Sequence, residues 1–165
     1  MKKYCLTTTI VVSLLILSNG IHGQATQTQL DEVKLTQQLL GTWQQDVGID
    51  STILWEVQQH NKAFISTAYF VFSGNKKFYF SQNWSFRPKE GKSKGFNLYR
   101  GGGYITWIAS FTSENKWNVS FVRDFNPEEV LSTVEMVFET PTSALVESFN
   151  LKGEKTGEQR WHKIK

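Results

Sequence analysis

Residues 76–87 alternate by parity. Phe78, Phe80, Gln82, Trp84 and Phe86 fall on one face, and Lys77, Tyr79, Ser81, Asn83, Ser85 and Arg87 fall on the other. A period of two is the mark of an antiparallel strand with one face buried. The same test puts Ile53, Trp55 and Val57 inward on a strand at 51–59. It selects Ile105, Trp107, Ala109 and Phe111 at 103–111, and Trp117, Val119, Phe121 and Arg123 at 116–124. At 130–139 the apolar face is Val130, Val134, Met136 and Phe138, and at 144–151 it is Leu145, Phe149 and Leu151 with Glu147 among them. Residues 62–73 are apolar at both parities and assign no face.

Turn signals divide these runs at 48–50, 74–75, 112–115, 141–143 and 153–157. Two connections read as longer or looser: the basic, polar stretch 88–95, and Gly101-Gly102-Gly103. About eight to ten strands follow one another simply. A twisted sheet of that length tends to close, because closure removes its exposed edges. The fold class is all-β, an up-and-down antiparallel barrel behind a short N-terminal helix. That helix is predicted over 30–39, capped by Thr28, with Asp31 and Glu32 in its first turn near the positive helix end.

The start of the chain reads as an export signal. Lys2 and Lys3 precede an apolar run from Leu6 to Leu17, and small and polar residues follow; the run is too short to span a membrane. Residues 1–23 are therefore expected to be removed, leaving residues 24–165 as one domain, without a transmembrane segment. The sole cysteine, Cys5, lies within that signal. The mature domain then lacks a disulfide, a thiol nucleophile and a thiolate ligand, and rests on its core alone. Disulfide-free export points to a bacterial periplasm or exterior, and a chain of this size reads as a monomer. The net charge of +3 falls close to neutral once Lys2 and Lys3 are lost, so no global field draws nucleic acid.

Gly41-Thr42-Trp43 stands where the helical pattern gives way to strands, and Arg160-Trp161 stands on the final strand. This layout resembles the lipocalin-like, or calycin, superfamily, in the form of small secreted bacterial domains. The resemblance covers most of residues 29–165. It implies that Gly41 and Trp43 close one barrel end, with the basic side chain of Arg160 packed over the indole as a cation–aromatic contact. The further motifs and the disulfide of animal lipocalins have no counterpart here, so no particular ligand carries over.

Aromatic residues make up 14% of the chain and fall mostly on the strands, which directs attention to the interior. Trp55, Phe80, Trp84, Trp107, Trp117 and Phe121 either line a cavity for a small hydrophobic molecule or lipid, or simply fill a narrow barrel. Gln82 is a polar anchor on the same face. Arg123 and Glu147 sit at inward phase, where a buried charge demands a partner. They pair with each other, receive a ligand group, or sit at strand ends in water. The basic residues Arg87, Lys89, Lys92, Lys94 and Arg100 form either a lip for anionic head groups or a solvated loop.

Catalytic and metal chemistry find little footing. His60 and His162 lack a second histidine at ligand spacing, so no metal or cofactor is expected. A haem ligand at His162 competes with a plain surface histidine. The expectation is a non-enzymatic barrel that binds a small hydrophobic or amphipathic molecule. The alternative is a filled barrel that contacts another envelope protein or a glycan through its outer face, with Tyr79, Tyr99 and Tyr104 as candidate contacts.

Overall fold

The computed structural model describes residues 30–165. The segment read as an export signal, and Thr28 with it, lies outside the described residues. A short helix, α1 (Glu32–Thr36), runs into a 3-10 turn at Gln37–Leu39. Ten strands follow: β1 (Gly41–Gly48), β2 (Ser51–His60), β3 (Ala63–Phe72), β4 (Asn75–Arg87), β5 (Lys92–Tyr99), β6 (Tyr104–Ser113), β7 (Lys116–Arg123), β8 (Asn126–Thr140), β9 (Ser143–Phe149) and β10 (Lys155–Lys163). Each strand pairs antiparallel with its chain neighbour, and β1 meets β10 to close the barrel. The all-β, up-and-down barrel predicted from strand rhythm is thus the observed fold, with strands numbering ten.

The core lies inside the barrel, built from the inward parity of each strand. Trp55 and Val57 come from β2, Phe64 and Ala68 from β3, and Trp84 from β4. Trp107, Ala109 and Phe111 come from β6, Trp117 and Val119 from β7, and Met136 and Phe138 from β8. Bulges shift this parity where it matters. On β4 the register slips beside Ala68 and Tyr69, so Phe80 stays inward while Phe78 is turned out toward solvent. Where Phe121, Val122 and Arg123 run consecutively on β7, the pairing on β8 skips residue 131 and then residues 127–129, and left-handed Asp124 and Phe125 (φ 48° and 61°) complete the turn. Of the face predicted inward on β7, Trp117, Val119 and Phe121 border the interior, and Arg123 is the exposed last residue of the strand.

The two ends of the barrel differ. One end carries the turns at 61–62, 88–91, 114–115 and 141–142, together with α1. Here Asp31 caps the helix, its Oδ1 accepting from the Lys34 amide at 3.0 Å. The cap thus sits at Asp31, and the helix starts at Glu32 rather than at residue 30. Glu32 does not simply face the helix end. Its carboxylate is buried, and Oε1 accepts the backbone amide of Phe111 on β6 at 2.7 Å. Burial pushes its pKa above the usual carboxylate value, the Phe111 hydrogen bond opposing in part. The other oxygen, Oε2, has no partner among the described residues. On the far side of the helix, the Gln38 side chain donates to the Glu114 carbonyl at 2.8 Å.

Trp43 is the centre of this seal and is fully buried. Its Nε1 donates to the Leu39 carbonyl at 2.8 Å, and its ring lies 6.0 Å from that of Phe138. Gly41 precedes it for a steric reason. Its φ of 114° suits glycine, and a Cβ there would lie 2.2 Å from the Lys165 carbonyl oxygen. That approach lets the Thr42 amide donate to the Lys165 carbonyl at 2.9 Å and close the seam.

The cation over Trp43 is Lys163, not Arg160. Lys163 pairs in register with Trp43, and its Nζ stands 4.8 Å from the ring centroid while donating to the Gln38 carbonyl at 2.9 Å. Parity explains the correction. Trp161 faces inward on β10, so Lys163 does too, whereas Arg160 faces out and pairs with Glu139. Among the described residues no helix is long and apolar enough to cross a membrane.

Candidate functional site

The opposite end carries the turns at 49–50, 73–74, 100–103, 124–125 and 150–154, and among the described residues no helix covers it. Below it the barrel holds a cavity of about 230 Å³, rimmed by half-buried Phe80, Tyr99 and Phe121 and exposed Gln159. Of the residues selected from sequence, Trp55, Phe80, Gln82, Trp107, Trp117 and Phe121 all border this space. Trp161, Val119, Val134, Met136 and Val146 complete the apolar part, and Asn97 and Tyr99 join Gln82 in the polar part.

One side of the wall is a continuous hydrogen-bonded strip across β2 to β6. Trp55 Nε1 donates to Ser66 Oγ at 2.8 Å and to Gln82 Oε1 at 2.9 Å, and Ser66 Oγ donates to the same oxygen at 2.8 Å. Gln82 Nε2 donates to Asn97 Oδ1 at 3.0 Å, which also accepts Trp107 Nε1 at 2.8 Å. Asn97 Nδ2 reaches the Tyr99 hydroxyl at 3.5 Å. Inward parity places these polar groups at one depth on neighbouring strands, Gln82 being in register with both Ser66 and Asn97. Satisfied in this way, they tolerate burial that isolated amides would not. The other side, from β7 to β9, is apolar: Trp117, Val119, Phe121, Val134, Met136 and Val146.

Three of the sequence-selected residues lie elsewhere. Trp84 faces inward but toward the sealed end, stacked on Phe64 at 5.5 Å and tilted against Trp107 at 5.8 Å. It fills the barrel and does not border the cavity. The strand opposite makes room for it: a Cβ on Gly95 would stand 2.5 Å from the Trp107 ring and 2.6 Å from Trp84 Cβ.

Arg123 is an outer residue. It is the last residue of β7, at the open end; its side chain is 66% exposed, and Nη1 pairs with Glu129 at 3.2 Å. Glu147 is also outside, because β9 has the opposite parity to the one its sequence suggested. Ala144 and Val146 point inward, small residues set against the large rings of other strands, while Leu145 and Glu147 face out. Glu147 lies between Glu135 and Glu158 in register, and Lys155 bridges Glu147, at 2.7 Å, to Glu158. Arg123 and Glu147 therefore neither meet nor reach the interior.

The basic stretch divides between the two ends. Arg87, Lys89, Lys92 and Lys94 stand near the sealed end, with Lys94 paired to Glu90 at 2.7 Å, whereas Arg100 lies in a turn at the open end. No single lip forms. His162 is exposed on the outward parity of β10, away from the cavity. Of the three tyrosines, Tyr99 turns into the wall, Tyr79 is exposed, and Tyr104 is exposed with its hydroxyl donating to Asp124 at 2.9 Å.

No family model matches the chain, and no curated protein matches it either. The fold and the cavity wall are thus the ground for a functional reading.

Asn97, Gln159 and Trp161 were not selected as cavity residues from sequence, and Tyr99, expected on the outer face, faces the cavity. Asn97 and Tyr99 fall on β5, where a run of lysines and glycine hid the strand. Gln159 and Trp161 were legible in principle. Continuing the period of two back from Lys163 selects both, and the resemblance drew attention to Arg160 instead.

Proposed function

We propose that this protein is a secreted, lipocalin-like carrier that holds one small hydrophobic or amphipathic molecule inside its barrel, without catalysis. The observation that carries this reading is the cavity of about 230 Å³ at the open end, walled on one side by a polar strip that includes Trp55 and Trp107 and on the other by an apolar face. Small-molecule sites are generally concave and mostly apolar, with a few polar groups that fix orientation. The division of labour between the ends fits a container. A helix, Trp43 and Lys163 seal one end, and the other is rimmed by residues that solvent reaches.

The wall supplies contact and orientation rather than reactive groups. Among the described residues it is lined by neither carboxylate, imidazole, amine nor thiol, and the Tyr99 hydroxyl is its one ionisable group. Export to a bacterial periplasm or exterior is part of the proposal, and rests on the order of charged, apolar and small residues before position 24.

The direct test is to purify the mature protein from its native host and analyse an organic extract by mass spectrometry. A carrier yields one small molecule in near-stoichiometric amount. An empty extract, combined with no saturable quenching of tryptophan fluorescence by apolar compounds, would count decisively against it.

A further inference from the structure

Resting on that carrier reading, the arrangement of donors and acceptors in the wall defines the class of cargo. Trp55 and Trp107 present indole N–H groups, which can only donate. Each therefore fixes which end of an amide faces it: Gln82 Oε1 receives Trp55 and Ser66, and Asn97 Oδ1 receives Trp107 and Gln82. Both amide oxygens thus accept two hydrogen bonds apiece, which is their ordinary capacity. The amide nitrogen of Asn97 is left facing Tyr99, with one of its two N–H groups directed at that hydroxyl. The other N–H and the hydroxyl proton of Tyr99 have no acceptor among the described residues.

The buried strip from Trp55 to Tyr99 therefore offers donors and withholds acceptors, the one other amide of the wall being that of Gln159 at the exposed rim. Among the described residues the wall also carries no cation, since every side chain bordering the cavity is uncharged at neutral pH. A carboxylate entering it would shed its hydration with no opposite charge in reach, which is strongly unfavourable. Size narrows the class further. A cavity of 150 Å³ takes one benzene, so about 230 Å³ takes roughly nine or ten non-hydrogen atoms, one substituted ring or two small fused ones. We infer that the cargo is an uncharged, ring-sized molecule carrying a hydrogen-bond acceptor of the carbonyl type, read by Asn97 Nδ2 and the Tyr99 hydroxyl.

Three probes of matching shape separate the contributions: acetophenone, with a neutral carbonyl; cumene, with no polar atom; and benzoate, with an anionic head. Each is titrated calorimetrically into the mature protein at neutral pH. Acetophenone binds at least tenfold more tightly than either of the others. In Tyr99→Phe, which removes only the hydroxyl, the preference over cumene falls several-fold while cumene itself binds as before. Equal binding of cumene, or equal or tighter binding of benzoate, overturns the inference and leaves the carrier reading standing. An unchanged preference in Tyr99→Phe overturns the role given to that hydroxyl. Saturable binding by none of the three overturns both the inference and the carrier reading beneath it.

Discussion

The two ends of the barrel are built from the same residue types to opposite effect. At the sealed end Trp43 meets Phe138, its N–H meets a carbonyl, Lys163 covers its ring, and α1 closes over the whole. At the open end Trp55 packs edge to face on Trp161 and Trp107 on Trp117, and these rings border the cavity. Burial alone does not separate these sets, for Trp107 is as deeply buried as Trp43. What separates them is what lies opposite: a helix and a lysine in one case, and small or flexible residues such as Val134, Val146 and Met136 in the other. An aromatic ring in a barrel is filling or lining according to its partners across the axis.

The strongest way to break the comparison is at Trp43. Trp43→Ala removes a fully buried ring with its hydrogen bond to Leu39, and a loss of about 3–5 kcal/mol is expected in urea denaturation. Phe121→Ala at the rim, where the ring is only half-buried, should cost appreciably less and instead weaken ligand binding. Equal losses at the two sites would dissolve the distinction between seal and container.

Gly95→Ala tests the boundary between the ends. The new methyl meets Trp107 and Trp84 at van der Waals overlap, and overpacking of this kind costs roughly 1–3 kcal/mol. Because Trp107 also borders the cavity, the variant should lose ligand affinity along with stability. Retained affinity would mean that the rings relax away from the cavity.

A subtler effect concerns pH and belongs to the seal alone. Burial raises the pKa of Glu32, so the folded protein holds that proton to higher pH than the unfolded chain does. The stability linked to it is full below the usual carboxylate value of 4.5, and it is lost as pH rises through the folded value. Glu32→Gln keeps an oxygen for the Phe111 amide and removes the charge. The denaturation midpoint of this variant should vary less with pH across that window than the wild type, and an unaltered pH profile would contradict the assignment. The smallest effect is expected at Arg160. Arg160→Ala breaks only an outer ion pair and should shift stability by about 1 kcal/mol or less, whereas Lys163→Met disturbs the seal and should shift it more.

Much of this architecture was legible in the chain. Alternation at β2, β4, β6, β7 and β8 selected inward residues that the fold places inside, because rings and β-branched residues on one parity have nowhere else to be buried. Reading failed where local pattern and packing part company. Arg123 keeps inward phase in sequence, but it is the last residue of β7, exposed at the open end beside Glu129, and phase alone does not show where a strand leaves the interior. Glu147 was misplaced because both parities of β9 carry apolar residues. The choice between them rests on the size of rings from distant strands, which no window along the chain reveals. Arg160 and Lys163 differ by parity alone, and counting from Trp161 would have decided between them. The presence of the cavity had no sequence signal, since the same rings would serve equally well as filling.

Methyl NMR reads both ends of the barrel in one titration. During addition of a small uncharged ring compound such as acetophenone, the methyl signals of Val119, Val134, Met136 and Val146 should shift saturably together. Those of Leu39 and Val57, buried at the sealed end, should hold still. No shift at the cavity methyls, or shifts of equal size at both ends, would contradict a container open at one end and sealed at the other.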